Sequence, residues 1–271
     1  MTAQSSSSVE GAACYEEIMQ AGENAVLIGD YETAAPLYAR AVALQKSSII
    51  LFGDSHYHMY LGVPGLTPLW LNAVTAHRVG RDGLDFIDPA RFGATPQTRL
   101  GFCFGEIDVR NHIGKIADEK GLPISQVATE LADRYLAGVA AISAGYRQPF
   151  VTTTVPQHAL SPGHPYAETV RPLEERLAAS LAFNAALKAR AALAGVDVVD
   201  ITPAVADDRG LLRDDVTDDD IHVRSAEGKR AVVILTRDSL TEFRPRGVLT
   251  DSQPARSPGR WIAWLKGLLG R

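Results

Sequence analysis

Cysteine is nearly absent. Two residues, Cys14 and Cys103, in a chain of 271 are too few for a disulfide framework or a cysteine-rich zinc site, and a reducing compartment is the default expectation. An excess of positive charge is also missing. The chain carries 27 Lys and Arg against 32 Asp and Glu, a formal net charge of −5, which excludes the basic footprint of a nucleic-acid binder. No apolar run reaches the roughly 18 residues that cross a bilayer. The opening MTAQSSSSVEG lacks the basic flank and apolar stretch of a signal peptide. A cytoplasmic protein is therefore expected. What is present is ordinary globular material, 46% hydrophobic and 22% charged, enough for one domain of moderate size with a small appendage.

Residues 1–9 are serine-rich and offer nothing to bury, so they read as a disordered tail. Residues 10–47 carry apolar and small side chains at helical spacing, interrupted at Gly29-Asp30, which predicts a helical hairpin. GDYETAAPLYARAVAL within it resembles a single tetratricopeptide unit. One such unit cannot bury its own face; it must dock on the rest of the chain or on a partner. From residue 48 the pattern changes. Short branched runs at 48–52, 75–79, 99–105, 149–155 and 196–201 read as strands, and 124–144, 171–194 and 226–243 read as helices. Strands alternating with helices predict an α/β fold, a parallel sheet in a three-layer α/β/α sandwich spanning 48–243. Reactive groups in such a sheet collect beyond the carboxyl ends of the strands. Residues 244–259, with three prolines, read as a linker, and 260–271 as an amphipathic tail helix.

The stretch IILFGDSHYHMY at 49–60 places Gly53, Asp54, Ser55, His56 and His58 at such an end. Gly53 permits a tight turn, and Ser55 then starts the next element, where backbone N–H groups favour a nearby oxyanion. A serine needs a base to become a nucleophile. His222, three residues after Asp219 in DDVTDDDIHVRSAEGKRAV, supplies one: a single turn brings the carboxylate to one ring nitrogen and leaves the other for Ser55.

These residues resemble the SGNH (GDSL-type) hydrolase family. GDS at 53–55 matches that family's first block, Asp219-x-x-His222 its last, and FGEID at 104–108 stands in the place of its third. The resemblance implies ester chemistry: Ser55 attacks an acyl carbonyl, His222 relays the proton and Asp219 holds the imidazole, with no cofactor. It implies an O-acylated substrate, a saccharide ester being favoured. It also implies an oxyanion hole of three donors: the Ser55 N–H, a glycine N–H assigned to Gly80 with Gly83 as fallback, and an asparagine side chain. Ile107 occupies the asparagine's place and cannot donate. One such donor is worth about 3–4 kcal/mol, so another group must substitute or activity falls. Arg110 is the preferred substitute, with Asn111 beside it. Asp54, Asp108 and His56 complete the expected pocket, although Asp108 also suits tying loop backbone together and Glu106 suits pairing with Arg110. Acyl transfer by the same triad, and a binding protein that has lost catalysis, are the rival functions.

Asp54-x-His56-x-His58 also has the residue types of a metal site. The further histidine clusters that metallophosphoesterases need are missing from the chain, and no metal is expected. In the tail, Trp261, Trp264, Leu265 and Leu268 form an apolar face flanked by Arg260, Lys266 and Arg271. Such a face fits a membrane surface, or docking on the main domain or a second subunit.

Overall fold

The computed structural model describes residues 4–240 apart from 84, 85, 162, 218 and 219. The expected linker and the apolar tail with Trp261, Trp264, Leu265 and Leu268 lie outside the described residues, as does Asp219.

Five strands form one parallel sheet: β1 (Ile49–Gly53), β2 (Leu66–Trp70), β3 (Arg99–Cys103), β4 (Arg147–Thr152) and β5 (Asp197–Val199), in the order β2-β1-β3-β4-β5. Every residue of β1 is buried, because a central parallel strand is covered on both faces. Side chains alternate between those faces. Ile50 and Phe52 of β1 join one core with Leu100, Phe102 and Val151. Ile49 and Leu51 join the other with Cys103, Phe150 and Val199. The first core is closed by α1 (Gln4–Leu27), α2 (Tyr31–Gln45), α3 (Ala76–Asp82), α5 (Ile124–Ile142) and α6 (Leu173–Arg190), with α4 (Ile113–Lys120) beside them. The second is closed by a 3-10 turn at Ser55–Tyr60, by α7 (Thr202–Val205) and by α8 (Ala226–Ser239). This is the expected three-layer sandwich. Strand order reverses at β1, whose neighbours are β2 on one side and β3 on the other. The crevice at such a reversal is where open α/β sheets bind their ligands.

The segment 75–79, expected as a strand, is the first part of α3. Thr75 caps it, its hydroxyl accepting from the Arg78 N–H at 3.1 Å, and a capped helix start outweighs the β preference of a five-residue run. The strand in that part of the chain is β2, LTPLW. Its Pro68 is tolerated because β2 lies at the edge of the sheet. Helix α1 begins at Gln4, inside the segment expected to be a disordered tail. Extending a helix already held by packing costs far less than starting one.

The hairpin of α1 and α2 packs against β2 and shares the first core. Tyr38, Ala34, Ala35 and Val42 are buried in it beside Phe92. Asp30 caps α2 by accepting from the Thr33 N–H at 3.0 Å. Three hydroxyls then tie the hairpin to the carboxyl end of the sheet: Tyr38 donates to the Trp70 carbonyl at 3.3 Å, Tyr31 to the Asn72 carbonyl at 3.1 Å, and Tyr57, on the Ser55 turn, to the Glu23 carboxylate. The hairpin thus reaches the reactive end of the sheet. Among the described residues, no helix is long and apolar enough to cross a membrane.

Candidate functional site

Gly53 closes β1 where the chain must pass close to β3. A Cβ there would lie 3.1 Å from Tyr57 Cβ and 3.3 Å from the Cys103 carbonyl oxygen. The Asp54 N–H crosses to that carbonyl at 3.2 Å, fastening the turn to the β1–β3 crevice. Asp54 is 2% exposed and caps the 3-10 turn, Oδ1 accepting from the His56 N–H at 2.9 Å. These bonds set the backbone that carries Ser55, whose side chain is exposed.

His222 comes from the loop before α8. That loop is pinched at its base, the Arg224 N–H donating to the Val216 carbonyl at 2.9 Å. Ser225 then caps α8 through the Gly228 N–H at 3.0 Å. Gly228 is needed for closeness, since a Cβ there would meet the Val216 side chain at 2.8 Å. The result is a contact across 167 positions: Ser55 Oγ lies 2.9 Å from His222 Nε2.

Two further imidazoles flank His222. Its ring centre is 4.7 Å from that of His56 and 5.4 Å from that of His58. His56 is 2% exposed, with Nδ1 at 3.0 Å from Asp54 Oδ1 and Nε2 at 3.3 Å from the Ile221 carbonyl oxygen. Burial works against its charged form. The Asp54 carboxylate, helped by Glu106 and the Ile221 carbonyl, outweighs burial and holds its pKa above the ordinary imidazole value. His58 behaves oppositely. Burial, with the charges of His56 and Arg224 adding to it, pushes its pKa down to about 4. Its Nδ1–H donates to the Ser55 carbonyl, and its buried Nε2 has no hydrogen-bond partner among the described residues, the arrangement of a neutral ring.

A pH dependence follows. Above its ordinary pKa of 6.5 His58 is neutral folded or unfolded. As pH falls below that, the unfolded chain takes up a proton that the folded chain refuses until about pH 4, so stability drops across that window and levels beneath it. The loss is about 3 kcal/mol. Urea unfolding of wild type and His58→Asn between pH 7 and pH 4 measures it. The variant should show the flatter curve, and equal slopes would remove His58 from the account.

The other expected residues are placed as follows. Gly80 sits inside α3, away from any loop: a Cβ there would lie 2.8 Å from the carbonyl carbon and oxygen of Arg134 in α5. Gly80 is a helix-packing glycine, and its assignment as an oxyanion donor is corrected. The loop that follows β2 toward the Ser55 turn is 71–75, anchored by the Leu71 N–H donating to the Gly53 carbonyl at 2.7 Å. Ala73 in that loop holds φ at +55°, a conformation usually given to glycine. Gly83 caps the far end of α3. Asp108 is fully buried and serves the scaffold. Oδ2 accepts from the Ala76 N–H at 2.7 Å, and Oδ1 lies 3.1 Å from His112 Nδ1. It holds the start of α3 against the loop after β3, so its place in the substrate pocket is corrected too. Arg110 lies on a π-helical turn, Asp108–His112. Its Nη2 is 3.2 Å from Glu106 Oε2, and its guanidinium carbon is 5.0 Å from the centre of the Tyr166 ring. Its Nε and Nη1 have no hydrogen-bond partner among the described residues. Asn111 is half-buried on the same turn. Asp54 Oδ1, both ring nitrogens of His56 and Nδ1 of His58 are spent on one another and on backbone, and among the described residues no three His, Cys, Asp or Glu side chains are grouped to hold a metal ion.

Sequence reasoning missed the clip on the loop 153–172. Arg176, 4% exposed, donates to the carbonyls of Arg171 and His158 at 2.9 and 3.0 Å and to Gln157 Oε1 at 3.1 Å. Asp220 fastens the same loop to the His222 segment, accepting from the Ser161 N–H at 2.6 Å. The helical pattern around Arg176 was legible; nothing local marks a buried arginine facing three acceptors.

No protein-family model and no curated protein matches the chain. Solved structures do. A protein of Streptococcus pneumonia, described as a candidate platelet activating factor, superposes with a TM-score of 0.52 at 15% identity over 88% of this chain and 99% of the other. A GDSL-like lipase from Bacteroides thetaiotaomicron gives 0.49 at 13% identity over 75% and 97%, and a carbohydrate acetylesterase from Sinorhizobium meliloti 0.46 at 13% over 71% and 97%. At such identities the likeness is one of architecture. With the GDS turn closing β1 and the histidine loop entering α8, the chain has the fold of the SGNH (GDSL-type) hydrolases.

Proposed function

We propose that the chain is a serine-dependent esterase. One observation carries the reading: an exposed serine hydroxyl at the switch point of the sheet lies within hydrogen-bond reach of an imidazole 167 positions away. Ser55 Oγ attacks the acyl carbonyl while His222 Nε2 takes its proton. The tetrahedral intermediate collapses, His222 returns the proton to the departing alcohol, and water repeats the sequence on the acyl-serine. Asp219, three positions before His222, is the carboxylate proposed for the other ring nitrogen. For the developing oxyanion the proposed donors are the Ser55 N–H, a backbone N–H of the 71–75 loop in place of Gly80, and the guanidinium of Arg110. Ser55 is exposed, which suits an acyl group carried on a bulky alcohol, and an O-acylated saccharide is the proposed substrate class.

A serine-directed fluorophosphonate probe and short-chain p-nitrophenyl esters test this. Wild type should be labelled at Ser55 and turn over the esters, and Ser55→Ala should lose both, turnover falling by at least about 10³-fold. Well-folded wild type that takes no label would sink the reading and favour a binding role, consistent with Ile107 standing where an oxyanion donor is expected.

A further inference from the structure

His56 is left unused by the chemistry above, yet it is enclosed as completely as the Asp54 carboxylate beside it, each 2% exposed. Both of its ring nitrogens face acceptors: the Asp54 carboxylate at 3.0 Å and the Ile221 carbonyl at 3.3 Å. A backbone carbonyl never donates. Asp54 Oδ1 already accepts from the His56 N–H at 2.9 Å. A neutral imidazole has one N–H and one lone pair, so it satisfies one of these acceptors and turns its lone pair on the other. Only the doubly protonated ring satisfies both, balanced by the carboxylate beside it. The second acceptor belongs to the residue immediately before His222, and the two rings lie 4.7 Å apart, inclined by 31°.

We infer that His56 is a positioning residue, a buried imidazolium that ties the Ser55 turn to the backbone of Ile221 and keeps the adjacent His222 ring unprotonated and aimed at Ser55 Oγ. It works twice. Its bond to the Ile221 carbonyl fixes the backbone from which His222 projects, and small displacements of a reacting group are costly. Its charge disfavours a second cation on the neighbouring ring. The other titratable groups around it are known. Asp54 at the end of β1 carries the balancing charge. Cys103 at the end of β3 and Glu106 in the loop after it line the same small cavity as Asp54 and His56. His58 on the same turn is held neutral, and Arg224 beyond it adds positive charge toward His58. Of these, Asp54 and Glu106 pull His56 toward its charged form. A cation at 56 is thus supported from two elements, while His222 stands next to that cation.

The role in catalysis rests on the esterase reading; the protonation state does not, and the test separates them. Imidazole nitrogen-15 spectra of the full chain at pH 8 should show His56 with both nitrogens protonated, and Asp54→Asn should abolish that pattern. Fluorophosphonate labelling of Ser55 is then followed against pH in wild type and in His56→Gln. The variant should label about tenfold more slowly at neutral pH. Its acidic limb should move to higher pH, because loss of the cation leaves the Asp54 charge to favour a proton on His222. A neutral His56 ring in wild type overturns the inference, and so does a folded His56→Gln protein with the wild-type labelling profile. Wild type that shows the protonated pair but takes no label at Ser55 fails the esterase reading alone and reduces the inference to a structural ion pair. Should His56→Gln fail to fold, the nitrogen spectra of wild type still decide.

Discussion

Replacing His222 with alanine should slow cleavage of a short-chain ester by about 10⁴-fold, with little change in KM. The hydroxyl of Ser55 is a poor nucleophile at neutral pH unless a base removes its proton as it attacks. His222 Nε2, 2.9 Å away, is the ring nitrogen the structure brings to it. His56 is not a replacement, since both its nitrogens are engaged with Asp54 and Ile221, and His58 has turned Nδ1 to the Ser55 carbonyl. The residual rate would come from the oxyanion donors and substrate binding. The fold should survive, because the loop is held at its base by the Arg224-to-Val216 bond and by the Ser225 cap of α8 rather than by the imidazole. Steady-state kinetics beside a circular dichroism melt make the comparison. Activity within tenfold of wild type in a folded His222→Ala protein would remove this imidazole as the base.

The parts of this site that could be read in the sequence are those whose cause is local. Gly53 at the end of an all-apolar run marks a strand that stops and turns, and β1 does so. Gly29-Asp30 marks a break between two helical patterns, and α2 starts directly after it. The pairing of Ser55 after the first strand with His222 before α8 came from the Asp-x-x-His spacing together with the resemblance to the SGNH hydrolases. Other features have causes the local sequence does not hold. LTPLW looks like a poor strand because of its proline, which is harmless only at a sheet edge, and edge position is a property of the whole sheet. TAHRV looks like a strand by its branched residues, and the Thr75 cap, visible in retrospect, decides otherwise. Ala73 takes the left-handed backbone of a glycine with no glycine to announce it. The imidazolium geometry of His56 depends on a carbonyl 165 positions away.

Gly80 is the most instructive case, because a glycine can serve a turn or a contact and the sequence does not distinguish them. The structure makes it half of a reciprocal contact between α3 and α5. A Cβ on Gly138 would lie 2.5 Å from the Val79 carbonyl oxygen and 3.0 Å from Gly80 Cα, just as one on Gly80 would meet the Arg134 backbone. These are backbone atoms, so no rotamer change relieves the clash, and the two helices must separate. Gly138→Val should therefore destabilise the protein by about 3 kcal/mol, lowering the melting temperature by about 10 °C. The separation would strip packing from Val79, Ala76, Tyr135 and Val139, each 0% exposed. It would also carry a functional cost. The Ala76 N–H at the start of α3 is bound to Asp108 at 2.7 Å, and the 71–75 loop beside Ser55 leads directly into that helix. Pushing α3 outward should shift the loop and reduce ester turnover well below the melting temperature. Gly80→Ala separates packing from chemistry. Alanine keeps the backbone N–H that an oxyanion hole would use, so a donor role predicts unchanged melting and unchanged activity, whereas the helix contact predicts lower melting by calorimetry. An unaltered melt for both variants would show that the two helices do not approach as closely as their glycines allow.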